Sequence, residues 1–98
     1  MAIKSFRDKV SEDICDGVKP KQSEKRLPGD LHFKARIKLA RLAVATSLND
    51  LAELRGNRLE ILKGDRAGQY SIRTNDQYRI CFNWNDKNAY DVEITDYH

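Results

Sequence analysis

The chain reads as an α+β protein, an antiparallel sheet of four to five strands with two to three helices packed on one face. Three observations carry that reading. Residues 31–44 place apolar side chains at spacings of three and four, which is a helical period. After Gly56 the period becomes two, which is that of a strand with one buried face. Four such segments follow one another closely, the connectivity of an antiparallel rather than a parallel sheet.

Taken in order, "AIKSF" is expected as a first strand, with Ile3 and Ser5 on one face and Lys4 and Phe6 on the other. Residues 8–16 are polar and weakly helical. "DGVKPKQSEKRLPGD" gathers both prolines and two glycines and reads as a loop or hinge. In the central helix Phe33, Ile37, Ala40 and Val44 define the apolar stripe, widened by Leu39, Leu42 and Ala43. Lys34, Lys38 and Arg41 line the opposite side. "SLNDLAEL" supplies a short turn of helix with Ser47 or Asn49 as cap.

In "RLEIL", Arg58, Glu60 and Leu62 alternate with Leu59 and Ile61. In "QYSIRT", Tyr70 and Ile72 alternate with Ser71 and Arg73. "QYRICFNW" sets Tyr78, Ile80, Phe82 and Trp84 against Arg79, Cys81 and Asn83. "AYDVEITDYH" sends Tyr90, Val92 and Ile94 to the core while Asp91, Glu93, Thr95 and Tyr97 face away.

Composition bounds the rest. A chain of 98 residues with 40% hydrophobic side chains makes one domain, residues 1–98, and not two. Its net charge of +3 is modest but unevenly spread: residues 19–41 hold eight basic and two acidic side chains, residues 80–98 one and four. No run approaches the roughly 20 apolar residues of a membrane helix, and "MAIKSFRDKV" lacks a signal-peptide core, so a cytosolic protein without a membrane partner is expected. Cys15 and Cys81 stand in unlike contexts and read as free thiols. A metal site would have to combine them with His32 and His98, four distant single residues without paired ligand spacing, so no metal and no cofactor is expected.

Strand parity isolates one feature. A two-residue loop at Asn75–Asp76 would set Ile72 on the face of Arg79 and scramble both patterns. A three-residue loop, Asn75, Asp76 and Gln77, pairs Ile72 with Ile80 and Tyr70 with Phe82. It also sets Arg73 opposite Arg79 on the polar face. Like charges there cost a few tenths to about 1 kcal/mol, so a neighbouring carboxylate or a bound anion is expected. Glu60 and Glu93 are the carboxylates within reach, and the alternative is an arginine face that serves solubility and protects the sheet edge.

The run R-L-x-x-L-x-G-x-R-x-G-x-x-S-I-x-x-N over residues 58–75, the aromatic-R-I of Tyr78, Arg79 and Ile80, the opening "IKSF" and the closing "DYH" resemble the HigB, or killer, type of toxin in the RelE/ParE superfamily of bacterial toxin–antitoxin systems. Residues 8–50 fit by length and helical character. The resemblance implies a RelE-like twisted sheet that cradles messenger RNA on the ribosome and cuts it by attack of the RNA's own 2′-hydroxyl on the adjacent phosphate. It implies Arg79 as the group that stabilises transition-state charge, Lys63 at the scissile phosphate, and Asp96, Tyr97 and His98 as the closing motif, with His98 as proton donor or acceptor. Arg73, Arg66 and Arg58 are the RNA-binding candidates. Where several relatives carry histidine this chain has Glu60, either a base or the salt-bridge partner of the arginines, and the tryptophan usual before the arginine is Tyr78. The implied partners are the ribosome, messenger RNA and a helix-turn-helix antitoxin of the HigA type, which would bring operator DNA indirectly. Rival readings are a ParE-like protein that poisons a topoisomerase without cutting RNA, and an inactive module that only binds its antitoxin.

Overall fold

A computed structural model of the chain describes residues 3–18, 23–75 and 77–96. The expected closing pair Tyr97 and His98, the loop residue Asp76 and part of the hinge at residues 19–22 lie outside them.

Helix α1 spans Lys9–Asp16. Asp8 caps it by accepting from the Ser11 N–H at 2.8 Å, and Gly17 ends it at φ 73°, a left-handed conformation that glycine adopts without a Cβ penalty. Arg26 donates to Asp8 Oδ2 at 2.8 Å and to the Ile94 carbonyl at 3.2 Å, tying the hinge to α1 and to the last strand. Burial alone would raise the Asp8 carboxyl, but the hydrogen bonds from Arg26 and Ser11 outweigh it and hold the group below its ordinary pKa. Within the hinge Leu27 is fully buried, so this segment anchors the core as well as connecting helices.

Helix α2 spans His32–Val44, and its buried face is His32, Ala35, Leu39 and Leu42. The expected stripe is therefore rotated. Phe33, Ile37 and Val44 are 68%, 43% and 75% exposed, and Ala40 is exposed as well. The sequence holds two apolar stripes on this helix, and the smaller one faces the core. His32 joins it because its Nε2 donates to the Leu27 carbonyl at 2.7 Å, which satisfies the ring inside the protein. Helix α3, Leu48–Ala52, begins at Ser47 with a capping box closed by Asp50, as the cap residues predict.

The sheet is a four-stranded antiparallel meander, β1 (Glu60–Ile61), β2 (Tyr70–Arg73), β3 (Tyr78–Asn85) and β4 (Asn88–Asp96), in that order. "AIKSF" contributes two isolated parallel bridges, Ile3 with Ala89 and Phe6 with Val92, in place of a regular fifth strand. In β1 the alternation holds, with Glu60 opposite Ser71 and Ile61 opposite Tyr70, but at this sheet edge Ile61 is 67% exposed, and Leu62, just past the strand, is buried. In β4 a bulge shifts the alternation. Asp91 takes φ 52°, the register slips between Cys81 and Asn83, and Ala89 rather than Tyr90 enters the core beside Val92 and Ile94. The β3–β4 turn places Asp86 and Lys87 at φ 49° and 67°, the left-handed pair that suits the twist of a two-residue hairpin.

The core lies between the helices and one sheet face, with Ile14, Leu27, Leu39, Leu42, Ile72, Ile80, Phe82 and Ile94 in one cluster. Tyr70 stacks on Phe82 at 6.2 Å, and Trp84 meets Phe82 edge-on at 6.3 Å. Among the described residues no helix is long and apolar enough to cross a membrane.

Candidate active site

The other sheet face carries two cross-strand rows. The register aligns Glu60, Ser71, Cys81 and Glu93 across the four strands, and Arg73, Arg79 and Thr95 in the next row. The hairpin that creates them closes as its parity requires: the Thr74 N–H donates to the Tyr78 carbonyl at 2.9 Å, which leaves three residues between them. Asn75 Oδ1 fixes the turn by accepting from the Gln77 and Tyr78 N–H groups at 2.9 and 2.8 Å.

Arg73 and Arg79 are thus directly opposed. The Arg79 guanidinium leans diagonally across β2. Its Nε donates to Ser71 Oγ at 2.7 Å. Its Nη2 donates to the Arg58 carbonyl at 2.6 Å and, more weakly, to the Ser71 carbonyl at 3.4 Å. Arg58 presents that carbonyl from a left-handed backbone, φ 42°, which is uncommon for arginine. Arg79 is consequently 9% exposed, a buried cation whose inner edge is filled by fixed acceptors. At its outer edge Nη1 meets the approach of Glu60 Oε1 at 3.8 Å, and the Glu60 side chain is 54% exposed. Ion pairs so open to solvent are worth at most about 1 kcal/mol.

The remaining candidates separate from this cluster. Arg66 meets Glu93 Oε1 at 2.9 Å and Gln69 Oε1 at 3.2 Å, beside the buried Cys81 thiol, whose pKa is raised chiefly by burial. Lys63 is exposed and precedes the short 3-10 turn Gly64–Arg66, beyond the end of β1. Asp96 stands opposite Tyr78, on the parity of the core face, and accepts from Gln77 Nε2 at 2.8 Å. Arg58 enters the cluster through its backbone. Sequence reading passed over Ser71 as a site residue, although the predicted register already set it opposite Cys81 and so diagonal to Arg79, within reach of a long side chain.

This geometry, a hairpin arginine held at the floor of a basic sheet face, belongs with a match over nearly the whole chain. Residues 4–98 match the family described as the RelE-like toxin of the type II toxin–antitoxin system HigB. Toxin HigB-1 of Vibrio cholerae serotype O1 is 36% identical over 81 residues, which cover 83% of this chain and 82% of that protein. The chain belongs to the HigB family of RelE-like toxins. Membership makes the protein the toxin of a type II pair, with an antitoxin as partner, and supports nuclease as its broad class.

Within the toxin, charge is sorted by strand. Glu93 is drawn to Arg66 and, at 3.7 Å, to Arg7. Glu60 is left beside Arg79, so one carboxylate balances the turn and the other attends the central arginine.

Proposed function

We propose that this toxin is a ribosome-dependent messenger RNA endonuclease, residues 1–98 acting as one domain, and that it arrests translation and growth by cutting translated messages. The 2′-hydroxyl of a nucleotide attacks its own 3′-phosphate. A new O2′–P bond forms, the P–O5′ bond breaks, and the fragments carry a 2′,3′-cyclic phosphate and a 5′-hydroxyl. One group must take the 2′ proton, another must give a proton to the leaving oxygen, and cations must stabilise the extra phosphorane charge. Side chains can fill all three roles without a metal ion.

The observation that carries the reading is the fixed Arg79. Its inner N–H groups are committed to Ser71 and Arg58, so its outer edge is held in place before substrate arrives. Preorganised charge of this kind does not have to reorient as the transition state forms. Arg73 is the second cation, set opposite it by register. Glu60, close to Arg79 and open to solvent, takes the 2′ proton. Lys63 contacts the scissile phosphate, Arg66 and Arg58 guide the RNA backbone, and the closing Asp96, Tyr97 and His98 supply the proton donor, His98 foremost. The antitoxin is of the HigA helix-turn-helix type and links the toxin to operator DNA.

Primer extension on translating ribosomes, with and without the protein, tests this. New 5′ ends within the translated region are expected. Intact messages together with a stalled topoisomerase would favour the poisoning alternative, and intact messages without either effect would leave an antitoxin-binding module.

A further inference from the structure

The outer face of α2 is unlike the rest of the surface. Phe33, Ile37, Ala40 and Val44 follow one another at helical spacing, and the three large ones are 68%, 43% and 75% exposed. Scattered exposed apolar residues are ordinary, whereas a continuous stripe marks a contact surface. Beside it run two cavities of about 230 and 270 Å³, which share Arg41 and Leu54 and so form one groove between α2 and the stretch from α3 to Asn57. Val44 lines one part and Ile37 the other.

The charge around the groove selects its occupant. Lys34, Lys38 and Arg41 flank the stripe. Lys38 donates to Asn57 Oδ1 at 2.7 Å, and its pKa is lowered first by burial and then by Lys34, Arg41 and Arg73. Positive charge has accumulated along this flank without a matching carboxylate on α2, and the carboxylates of the groove, Asp50 and Glu53, line the cavity that holds Val44 and not the one that holds Lys38. A second copy of this chain in two-fold contact would set the basic flank against itself. RNA phosphates would suit the lysines but would leave Ile37 and Val44 uncovered.

We propose that this groove is the antitoxin-docking surface, and that it receives an amphipathic helix whose apolar side covers Phe33, Ile37 and Val44 and whose acidic flank meets Lys34, Lys38 and Arg41. Helix-in-groove recognition reads apolar anchors at this spacing. The proposal rests on the toxin–antitoxin assignment and not on the cleavage chemistry.

The test is the affinity of the full chain for the antitoxin encoded beside it. The double variant Phe33→Ser/Ile37→Ser should bind at least about tenfold more weakly, and Arg41→Glu should weaken binding and flatten its salt dependence. Ile61→Ser, an equally exposed change on β1, should bind as the parent does. Hydrogen exchange on the unaltered complex is the companion measurement, with protection expected over residues 33–44. Parent-like affinity in the double variant, or protection confined to residues 58–85, overturns the proposal. So does a dimer of the chain alone that the double variant abolishes, which would give the stripe to a second copy. Failure of RNA cleavage would leave the binding result unchanged.

Discussion

On the polar face of the sheet an arginine, a serine and a thiol are buried, whereas on the outer face of α2 a phenylalanine, an isoleucine and a valine are exposed. Both regions depart from the usual partition of side chains, in opposite directions and for different reasons. Arg79 can be buried because Ser71 and the Arg58 carbonyl replace water at its inner edge. The α2 stripe can be exposed because the smaller stripe, Ala35, Leu39 and Leu42, already secures the helix to the core. One surface is prepared for charge, and the other is left for a partner to cover.

Arg79→Ala gives the largest expected effect. Loss of a charge-stabilising group in a preorganised site costs about 100-fold or more in rate, read by primer extension on translating ribosomes. It also removes the donor to Ser71 and Arg58, so stability should fall by about 1–3 kcal/mol in a denaturant titration, not stay constant as for an exposed arginine. A variant that cuts at the parent rate would end the catalytic assignment.

Glu60→Gln separates a base from an ion-pair partner. Cleavage should drop by about 100-fold or more if the carboxylate takes the 2′ proton, while stability moves by less than about 0.5 kcal/mol, because the pair is largely solvated. A loss below about threefold would reduce Glu60 to a counterion. His98→Ala is expected to remove most cleavage; parent-rate cutting by that variant would move the proton donor to Tyr97 or Asp96.

Some of this was legible in the sequence and some was not. Parity alone put Arg73 opposite Arg79, because a two-residue loop would have sent Ile72 to the wrong face. The phase of α2 was not legible: Phe33, Ile37 and Val44 outweigh Ala35 in any hydrophobic count, and the choice between stripes was made by tertiary contacts with the sheet and by the His32–Leu27 hydrogen bond. Tyr90 was misplaced for a related reason. The Asp91 bulge shifts alternation by one residue, and the hydrogen bond made there, from the Asp91 N–H to Ser5 Oγ at 2.9 Å, joins residues 86 positions apart. The family motif named Arg79, but the partners that fix it emerge only when strands are assembled.

Ser71→Ala should give a smaller effect than either charged substitution. Arg79 loses the acceptor at Nε, so stability falls by about 1 kcal/mol and cleavage falls about tenfold through misplacement of the guanidinium. Restoration by Ser71→Thr would show that the hydroxyl, and not the volume, is what positions the arginine. The smallest effect sharpens the contrast from outside both regions. The Asp8 pKa is lowered in the folded state, so this carboxylate contributes stability above its unfolded pKa and loses it as pH falls through the lowered value. Asp8→Asn should therefore flatten the acid limb of a stability profile while leaving cleavage at neutral pH unchanged, as befits an ion pair of the architecture and not of the chemistry.

The chemistry of the cut ends tests the central claim most directly. Messenger RNA recovered from translating ribosomes exposed to the protein should carry a 2′,3′-cyclic phosphate, or the 3′-phosphate it hydrolyses to, on the upstream fragment and a 5′-hydroxyl on the downstream one. A 3′-hydroxyl with a 5′-phosphate would mean that water, not the neighbouring 2′-oxygen, attacked the phosphorus, and would contradict the catalytic roles of Arg79, Glu60 and His98.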